Sequence, residues 1–334
     1  MISIAPMVDR TDRYFRYFCR LISKEVLLYT EMITAPAIIH GDIEHLLAFD
    51  AFEGPVALQI AGTNVEEIFK ATKIAEAFPY TEVNLNVGCP SDRVSGNYMG
   101  ACLMAYPELV AEMVQAMKEA TNKPVTVKHR IGIDGRGTLP DDQPKKIWDQ
   151  YEDLYYFVDL LDQVGVDGLT IHARIAILAG LSPKENREVP PLRYEDVYRL
   201  KDDFPHIPME VNGGITTCEA INEHLKVMDG VMLGRKAYDD PFFLAHLDHY
   251  LGHRTTVTRG DVIRGLIPYV ERMVSEGHKG HRTLAHTINL FHGKRGSKLW
   301  KQLISPPWDD QITGKNILKK ALLTLPDEVL NERP

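Results

Sequence analysis

The stretch PMEVNGGITTCEAINEHLKVMDGVMLGR (208–235) holds a strand, a helix and a second strand in immediate succession. PMEVNGG (208–214) and GVMLGR (230–235) are short apolar runs with β-branched residues, each closing on glycine. Between them TTCEAINEHLK (216–226) has helical periodicity, and Thr216 with Glu219 three places on reads as a capping box. Two strands joined through a helix run parallel, because an antiparallel pair needs only a hairpin. The same alternation runs back to the N-terminus through ISIAP (2–6), VLLYTEM (26–32), PVALQIA (55–61), EVNLNVG (82–88), PVTVKHR (124–130) and GLTIHAR (168–174). Amphipathic segments separate them, among them VEEIFKATKIAEAF (65–78), capped by Asn64, PELVAEMVQAMKEAT (107–121) and DLYYFVDLLDQVG (153–165). Eight such alternations with near-continuous apolar strands predict an α/β fold, a (β/α)8 TIM barrel, with a doubly wound sheet as the competitor.

After about residue 255 only helical patterns remain: 261–277, 283–293, 298–305 and 315–326. They predict a small C-terminal all-α helical bundle. The expected division is a catalytic barrel domain over 1–245 and a helical domain over 246–334. Two insertions, 131–150 and 175–195, follow the fifth and sixth strands, where long loops on a barrel carry function.

The 334 residues are 44% hydrophobic and 25% charged, which excludes the disordered and fibrous classes. No run of ~18 apolar residues occurs, so no membrane span is expected. The N-terminus lacks the pattern of a signal peptide. Cys19, Cys89, Cys102 and Cys218 are too few and scattered for a disulfide framework or a CxxC metal site. The expectation is a cytoplasmic protein, a monomer by default, with no metal. Net charge is −8, which argues against a nucleic-acid partner until it is divided by region. Residues 251–334 hold 14 Lys+Arg against 8 Asp+Glu, a net of +6, leaving −14 on residues 1–250. One part of the chain is therefore suited to an anion that the rest is not, unless the basic stretch is merely a solvated helical face.

In such a barrel the strands' C-terminal ends build the site. Read in order they give Pro6-Met7, Glu31-Met32, Gln59, Asn84 and Asn86 before Gly88-Cys89, Lys128 and Arg130, His172 and Arg174, Asn212-Gly213-Gly214, and Gly234-Arg235. A single polar strand end is usually a locally satisfied group, but seven of the eight carry polar or ionisable groups, which favours a binding site. Glycines after the seventh and eighth strands, with Arg235, suit a phosphorylated ligand, although a tight turn also uses glycine. Lys128 could face an electron-rich ring or form a Schiff base. Gln59 offers a donor and an acceptor to a heterocycle's edge. Cys89, on a loop at the barrel mouth, can serve as nucleophile, acid or redox centre. Cys19, Cys102 and Cys218 read as buried small hydrophobes.

These residues resemble the tRNA-dihydrouridine synthases, most closely the subtype acting at positions 20 and 20a. The matching stretches include APMVDRTDRYFR (5–16), ALQIAG (57–62), NLNVGCPS (84–91), PVTVKHR (124–130), PKENREVPPL (183–192), NGGI (212–215), VMLGR (231–235) and NLFHGKRGSKLWK (289–301). Asn84 stands where many members have an acidic residue. The last stretch replaces a commoner proline and arginines with Arg295, Lys298 and Lys301. The resemblance implies FMN as cofactor, NADPH as electron donor and D-loop uridine of tRNA as substrate. It implies FMN contacts at Pro6, Met7, Val8, Gln59, Lys128, His172, Asn212, Gly213, Gly214, Gly234 and Arg235. It implies hydride transfer from flavin N5 to uracil C6, with Cys89 giving a proton to C5. Asn86 and Arg174 would meet the base, and Lys184, Arg187, Lys298 and Lys301 the RNA. Two other readings remain: a flavin dehydrogenase of a free pyrimidine such as dihydroorotate, and a tRNA-binding chaperone with incidental flavin.

Overall fold

Eight parallel strands close into a barrel in the computed structural model, which describes every residue except 91–98, 142, 144, 254 and 306–312. The strands are β1 (Ile2–Ile4), β2 (Leu27–Thr34), β3 (Val56–Ala61), β4 (Glu82–Val87), β5 (Val125–Arg130), β6 (Gly168–His172), β7 (Met209–Asn212) and β8 (Gly230–Leu233). They pair in sequence order around the ring, and β8 returns to β1 through the register Ile2–Val231, Ser3–Met232 and Ile4–Leu233. This is the expected TIM barrel. Strand β2 runs two residues past its expected end, and its register against β3 slips between Tyr29 and Met32.

Successive strand residues point to opposite faces, so each strand carries two chemistries. In β4, Val83, Leu85 and Val87 form one fully buried apolar row, while Glu82, Asn84 and Asn86 form the other row. The helices that follow the strands include α1 (Arg13–Ile22), α2 (Ala35–His40), α3 (Val65–Ala75), α4 (Pro107–Ala120), α5 (Tyr151–Gln163), α6 (Tyr194–Asp203) and α7 (Cys218–His224). Asn64 caps α3 as expected, its side chain accepting from Glu67 N–H at 3.0 Å. The cap of α7 is Thr217 rather than Thr216. Thr217 is the residue with extended backbone, and its hydroxyl accepts from Ala220 N–H. The two insertions meet in a small sheet of two-residue strands, Ile133–Asp134, Ile147–Trp148 and Ala176–Ile177. Strands that short leave no periodicity to read.

The chain forms two compact units. One comprises residues 1–7, 27–49 and 55–233, and holds the strands of the barrel. The other comprises 8–26, 50–54 and 234–334. It holds α1 and the helices α8 (Arg235–Asp239), α9 (Phe243–Tyr250), α10 (Arg259–Ser275), α11 (Gly280–Ala285), α12 (Ser297–Ile304) and α13 (Gly314–Thr324). Inside this unit Tyr17 stacks on Tyr269 at 3.6 Å, and the buried Arg16–Glu53 pair closes at 2.8 Å. Thr258 and Asp261 form a capping box at the start of α10. Helix α12 buries Trp300 and Ile304 and exposes Lys298 and Lys301, three places apart on the opposite face. Among the described residues no helix is long and apolar enough to cross a membrane.

Trp300 is fully buried, packs against Phe291 and donates from its indole N–H to Thr287 C=O at 2.8 Å. Trp300→Ala should lower unfolding free energy by about 3–5 kcal/mol, read from urea denaturation. A loss under about 1 kcal/mol would show that α12 is not held by this side chain.

Candidate active site

The site grows from the polar row of β4. Gly88 and Cys89 turn their backbone N–H groups back to Asn86 Oδ1 at 3.2 and 3.1 Å. Asn86 Nδ2 donates to Gln59 Oε1 at 2.8 Å, and Gln59 Nε2 donates to Asn84 Oδ1 at 2.8 Å. Asn84 Nδ2 then donates to Thr126 Oγ1 at 2.8 Å, and Thr126 to Glu82 Oε1 at 2.9 Å. The same carboxylate oxygen accepts from Tyr29 at 2.5 Å. Gln59 and Asn84 are fully buried, and burying an unbonded amide costs several kcal/mol, so this ladder is what makes a polar barrel interior tolerable.

The ladder ends on the Cys89 turn, whose backbone is pinned from every side. Arg130 Nε donates to Gly88 C=O at 2.9 Å, and Ala101 N–H to Cys89 C=O at 3.0 Å. All four polar backbone groups of Gly88-Cys89 are therefore engaged, and the half-buried Cys89 thiol is free. Cys19 and Cys102 are buried as expected, and burial pushes the Cys102 thiol up to about 11. Cys218 departs from that expectation: it is half-buried at the first position of α7.

Positive charge surrounds this turn. Arg130 is buried and spends its guanidinium on carbonyls: Gly88, Ile175 and Asn186, at 2.9–3.0 Å. Lys128 donates to Asn212 Oδ1 at 3.2 Å, and Asn212 Nδ2 to Met232 C=O at 2.8 Å. Among the described residues neither cation has a carboxylate within 4.0 Å. Burial draws Lys128 down to about 8 and Arg130 to about 10, each a cost that an anionic ligand would relieve. Burial, then Arg130, Lys128, Arg174 and Arg187, hold His172 well below the usual imidazole range, so the ring is neutral at physiological pH. Gly213 (φ +117°) and Gly214 (φ +71°) follow β7. A Cβ on Gly213 would stand 2.7 Å from the His172 ring, and one on Gly214 2.6 Å from Leu192. Glycine is required at both positions by conformation and by space.

The first unit thus brings together Gln59, Asn86, Cys89, Lys128, His172, Asn212, Gly213 and Gly214. Pro6 and Met7 follow β1 after Ala5 and are half-buried. Arg174 donates to the carbonyls of Glu188 and Pro190 in the sixth loop. In that loop Asn186 is fully buried and bonds both polar backbone groups of Ile177 at 2.8 and 2.9 Å, while the flanking Lys184 and Arg187 are exposed. Val8, Gly234 and Arg235 belong to the second unit: Val8 is largely exposed, Gly234 stands at the N-cap of α8, and Arg235 is half-buried. Sequence reasoning leaves Glu82, Thr126 and Asn186 unnoticed and gives Arg130 no role. The available signal was spacing, since Thr126, Lys128 and Arg130 share one face of β5 at intervals of two.

The chain matches the family model described as dihydrouridine synthase over residues 3–325. It is 47% identical over 323 residues to a Synechocystis protein named tRNA-dihydrouridine(20/20a) synthase, covering 96% of this chain and 93% of that protein. A Pseudomonas aeruginosa protein of the same name is 49% identical over 305 residues, 91% of this chain and 88% of its own. Among solved structures, morphinone reductase aligns with a TM-score of 0.50 at 13% identity, covering 76% of this chain and 86% of that one, a likeness of fold.

One consequence of burial beside the site can be measured. His129 is fully buried, and its Nδ1–H donates to Arg130 C=O at 2.7 Å. Burial holds it at about 4 against about 6.5 unfolded, so the unfolded chain binds more protons as pH falls through that window and stability falls with it. Glu210, raised by burial to about 7, works in the opposite sense. His129→Phe removes the histidine contribution alone. Between pH 7 and pH 5 the variant should lose about 2 kcal/mol less unfolding free energy than the unaltered chain, measured by urea titration at both pH values. Equal losses would refute the burial account.

Proposed function

This chain belongs to the dihydrouridine synthase family, and from that membership we propose that it reduces uridine to 5,6-dihydrouridine in the D-loop of tRNA, at positions 20 and 20a. The observation that carries the reading is a free thiol on a fully hydrogen-bonded turn, beside two cations that among the described residues have no carboxylate partner. Saturating the uracil double bond requires a hydride at C6 and a proton at C5. FMN reduced by NADPH would supply the hydride. Gln59, Lys128, His172, Asn212, Gly213 and Gly214 are the first-unit residues suited to hold it. Among the described residues Lys128 and Arg130 have no carboxylate within 4.0 Å, which suits an anionic, electron-rich ligand.

Cys89 gives its proton to C5. The pinned backbone fixes the approach of the thiol to the base. Lys128 and Arg130 lie close enough to feel a charge on Cys89 and favour the thiolate left behind. Solvent then returns the proton. Asn86 keeps one N–H beyond its bond to Gln59, and with Arg174 it holds the uracil carbonyls as electron density rises. The target base must leave its stack to reach these groups. The exposed Lys184, Arg187, Lys298 and Lys301 position the tRNA through its phosphates.

The purified protein should absorb as a flavoprotein and, with NADPH and unmodified tRNA, place dihydrouridine at position 20 or 20a by mass spectrometry. Product at neither position would overturn the reading. Cys89→Ala should keep the flavin and lose at least about a hundredfold in turnover on tRNA. Replacing Lys298 and Lys301 by Glu should weaken tRNA binding and reduce its log–log salt slope by about 2, with flavin content unchanged. An unaltered slope would remove both lysines from the RNA contact.

A further inference from the structure

Every bond of the ladder runs in one direction. Cys89 N–H donates to Asn86, Asn86 to Gln59, Gln59 to Asn84, Asn84 to Thr126 and Thr126 to Glu82. An amide can point either way, and a hydroxyl can donate or accept, so nothing in the middle of the chain sets this direction. The two ends are one-way and agree: the Gly88 and Cys89 N–H groups only donate, and a carboxylate only accepts. With Tyr29 also donating to it, Glu82 compels Thr126 to donate. Thr126 must then take its own bond from Asn84 Nδ2, which turns Asn84 Oδ1 to Gln59. Gln59 Nε2 is thereby committed, and its Oε1 is left for Asn86 Nδ2. Asn86 Oδ1 is then the atom that faces Gly88 and Cys89.

We infer that Glu82 and Thr126 are positioning residues for Cys89: the Glu82 carboxylate locks, through Thr126 and three amides in series, the one orientation of Asn86 in which its oxygen meets the N–H groups of the Cys89 turn. Neither residue touches the thiol. Aligned bonds polarise one another, so the last acceptor, Asn86 Oδ1, holds the turn more strongly than an isolated amide does. Arg130 grips the other side of the Gly88 peptide independently. Loss of the ladder therefore loosens the Cys89 turn without detaching it. The consequence for turnover rests on Cys89 being the proton donor, whereas the positioning itself does not.

The experiment reads the thiol directly. The 334-residue protein as purified is treated with iodoacetamide, and alkylation of Cys89 is followed by peptide mass spectrometry, with neither tRNA nor NADPH present. Thr126→Val keeps the shape of the side chain and removes both of its bonds. Thr126→Ser keeps the hydroxyl. Glu82→Gln keeps the size, but its amide can offer Thr126 an N–H, so this end no longer enforces the direction that the Gly88 and Cys89 N–H groups require. Thr126→Val and Glu82→Gln should raise the Cys89 alkylation rate at least fivefold, about the ratio one net hydrogen bond corresponds to, while Thr126→Ser stays within twofold of the unaltered chain. A purely packing role predicts that Val is silent and Ser is not. Unaltered alkylation in both Thr126→Val and Glu82→Gln would overturn the proposal. If Thr126→Val does not fold, Glu82→Gln decides alone. A failure to make dihydrouridine with these alkylation rates as expected would fall on the proposed function and leave the ladder intact.

Discussion

The barrel depends on one constraint: the inward row of β4, β5, β6 and β7 is polar, and its buried groups must find their partners inside. Ser3, Gln59, Asn84, Asn86, Thr126, Thr170, His172, Glu210 and Asn212 are all nine-tenths or more buried. An interior of branched apolar side chains tolerates small shifts of register, because dispersion contacts are not directional. An amide ladder does not, since a displaced strand breaks a bond at 2.8 Å and strands a buried amide. Apolar packing between strands and helices supplies the bulk of the stabilisation, as in the fully buried Val83, Leu85 and Val87. Polar pairing inside the ring fixes which atoms face the mouth. Stability and site geometry are thus divided between the two sides of the same strands.

The division was unevenly legible. All eight strands could be read from the sequence, because an apolar run closing on glycine or a polar group is a local signal. Lys128 and His172 were legible as strand ends for the same reason. Arg130 was visible but could not be given a role, because its partners are the carbonyls of Gly88, Ile175 and Asn186, and backbone carbonyls are present at every residue. Thr126 and Glu82 look like ordinary strand residues until β3, β4 and β5 are laid side by side. The sheet joining Ile133–Asp134, Ile147–Trp148 and Ala176–Ile177 was invisible for want of length. What is local in the chain could be read, and what depends on register between strands could not.

Charge is also sorted along the barrel. Glu82 and Glu210 stand toward the N-terminal ends of β4 and β7, while Lys128, Arg130 and His172 stand toward the C-terminal ends of β5 and β6. Glu210 takes hydrogen bonds from Ser3 and Thr170 at one oxygen, and burial followed by repulsion from Glu82 raises it to about 7. Separating the acids from the cations leaves both sets only partly compensated. An ion pair between Glu210 and Lys128 would have cancelled the positive field at the C-terminal ends of the strands. Among the described residues Lys128 and Arg130 have no carboxylate within 4.0 Å, and burial draws both down.

Pairing of charges also decides what the basic C-terminal stretch can bind. Its net of +6 was the reason to set aside the acidic whole-chain average. Net charge by region is still too coarse, because Lys294 is held by Glu332 at 2.6 Å and Arg295 by Glu328 at 3.1 Å. Those two cations are answered within their own unit. Lys298 and Lys301 are exposed on one face of α12, and among the described residues neither has a carboxylate within 4.0 Å. A phosphate competes for a lysine only when no acid already holds it. The quantity that bears on RNA is therefore the number of unanswered cations on a face, and it is the partner list of each lysine, more than the count of lysines, that distinguishes a binding surface from a solvated helix.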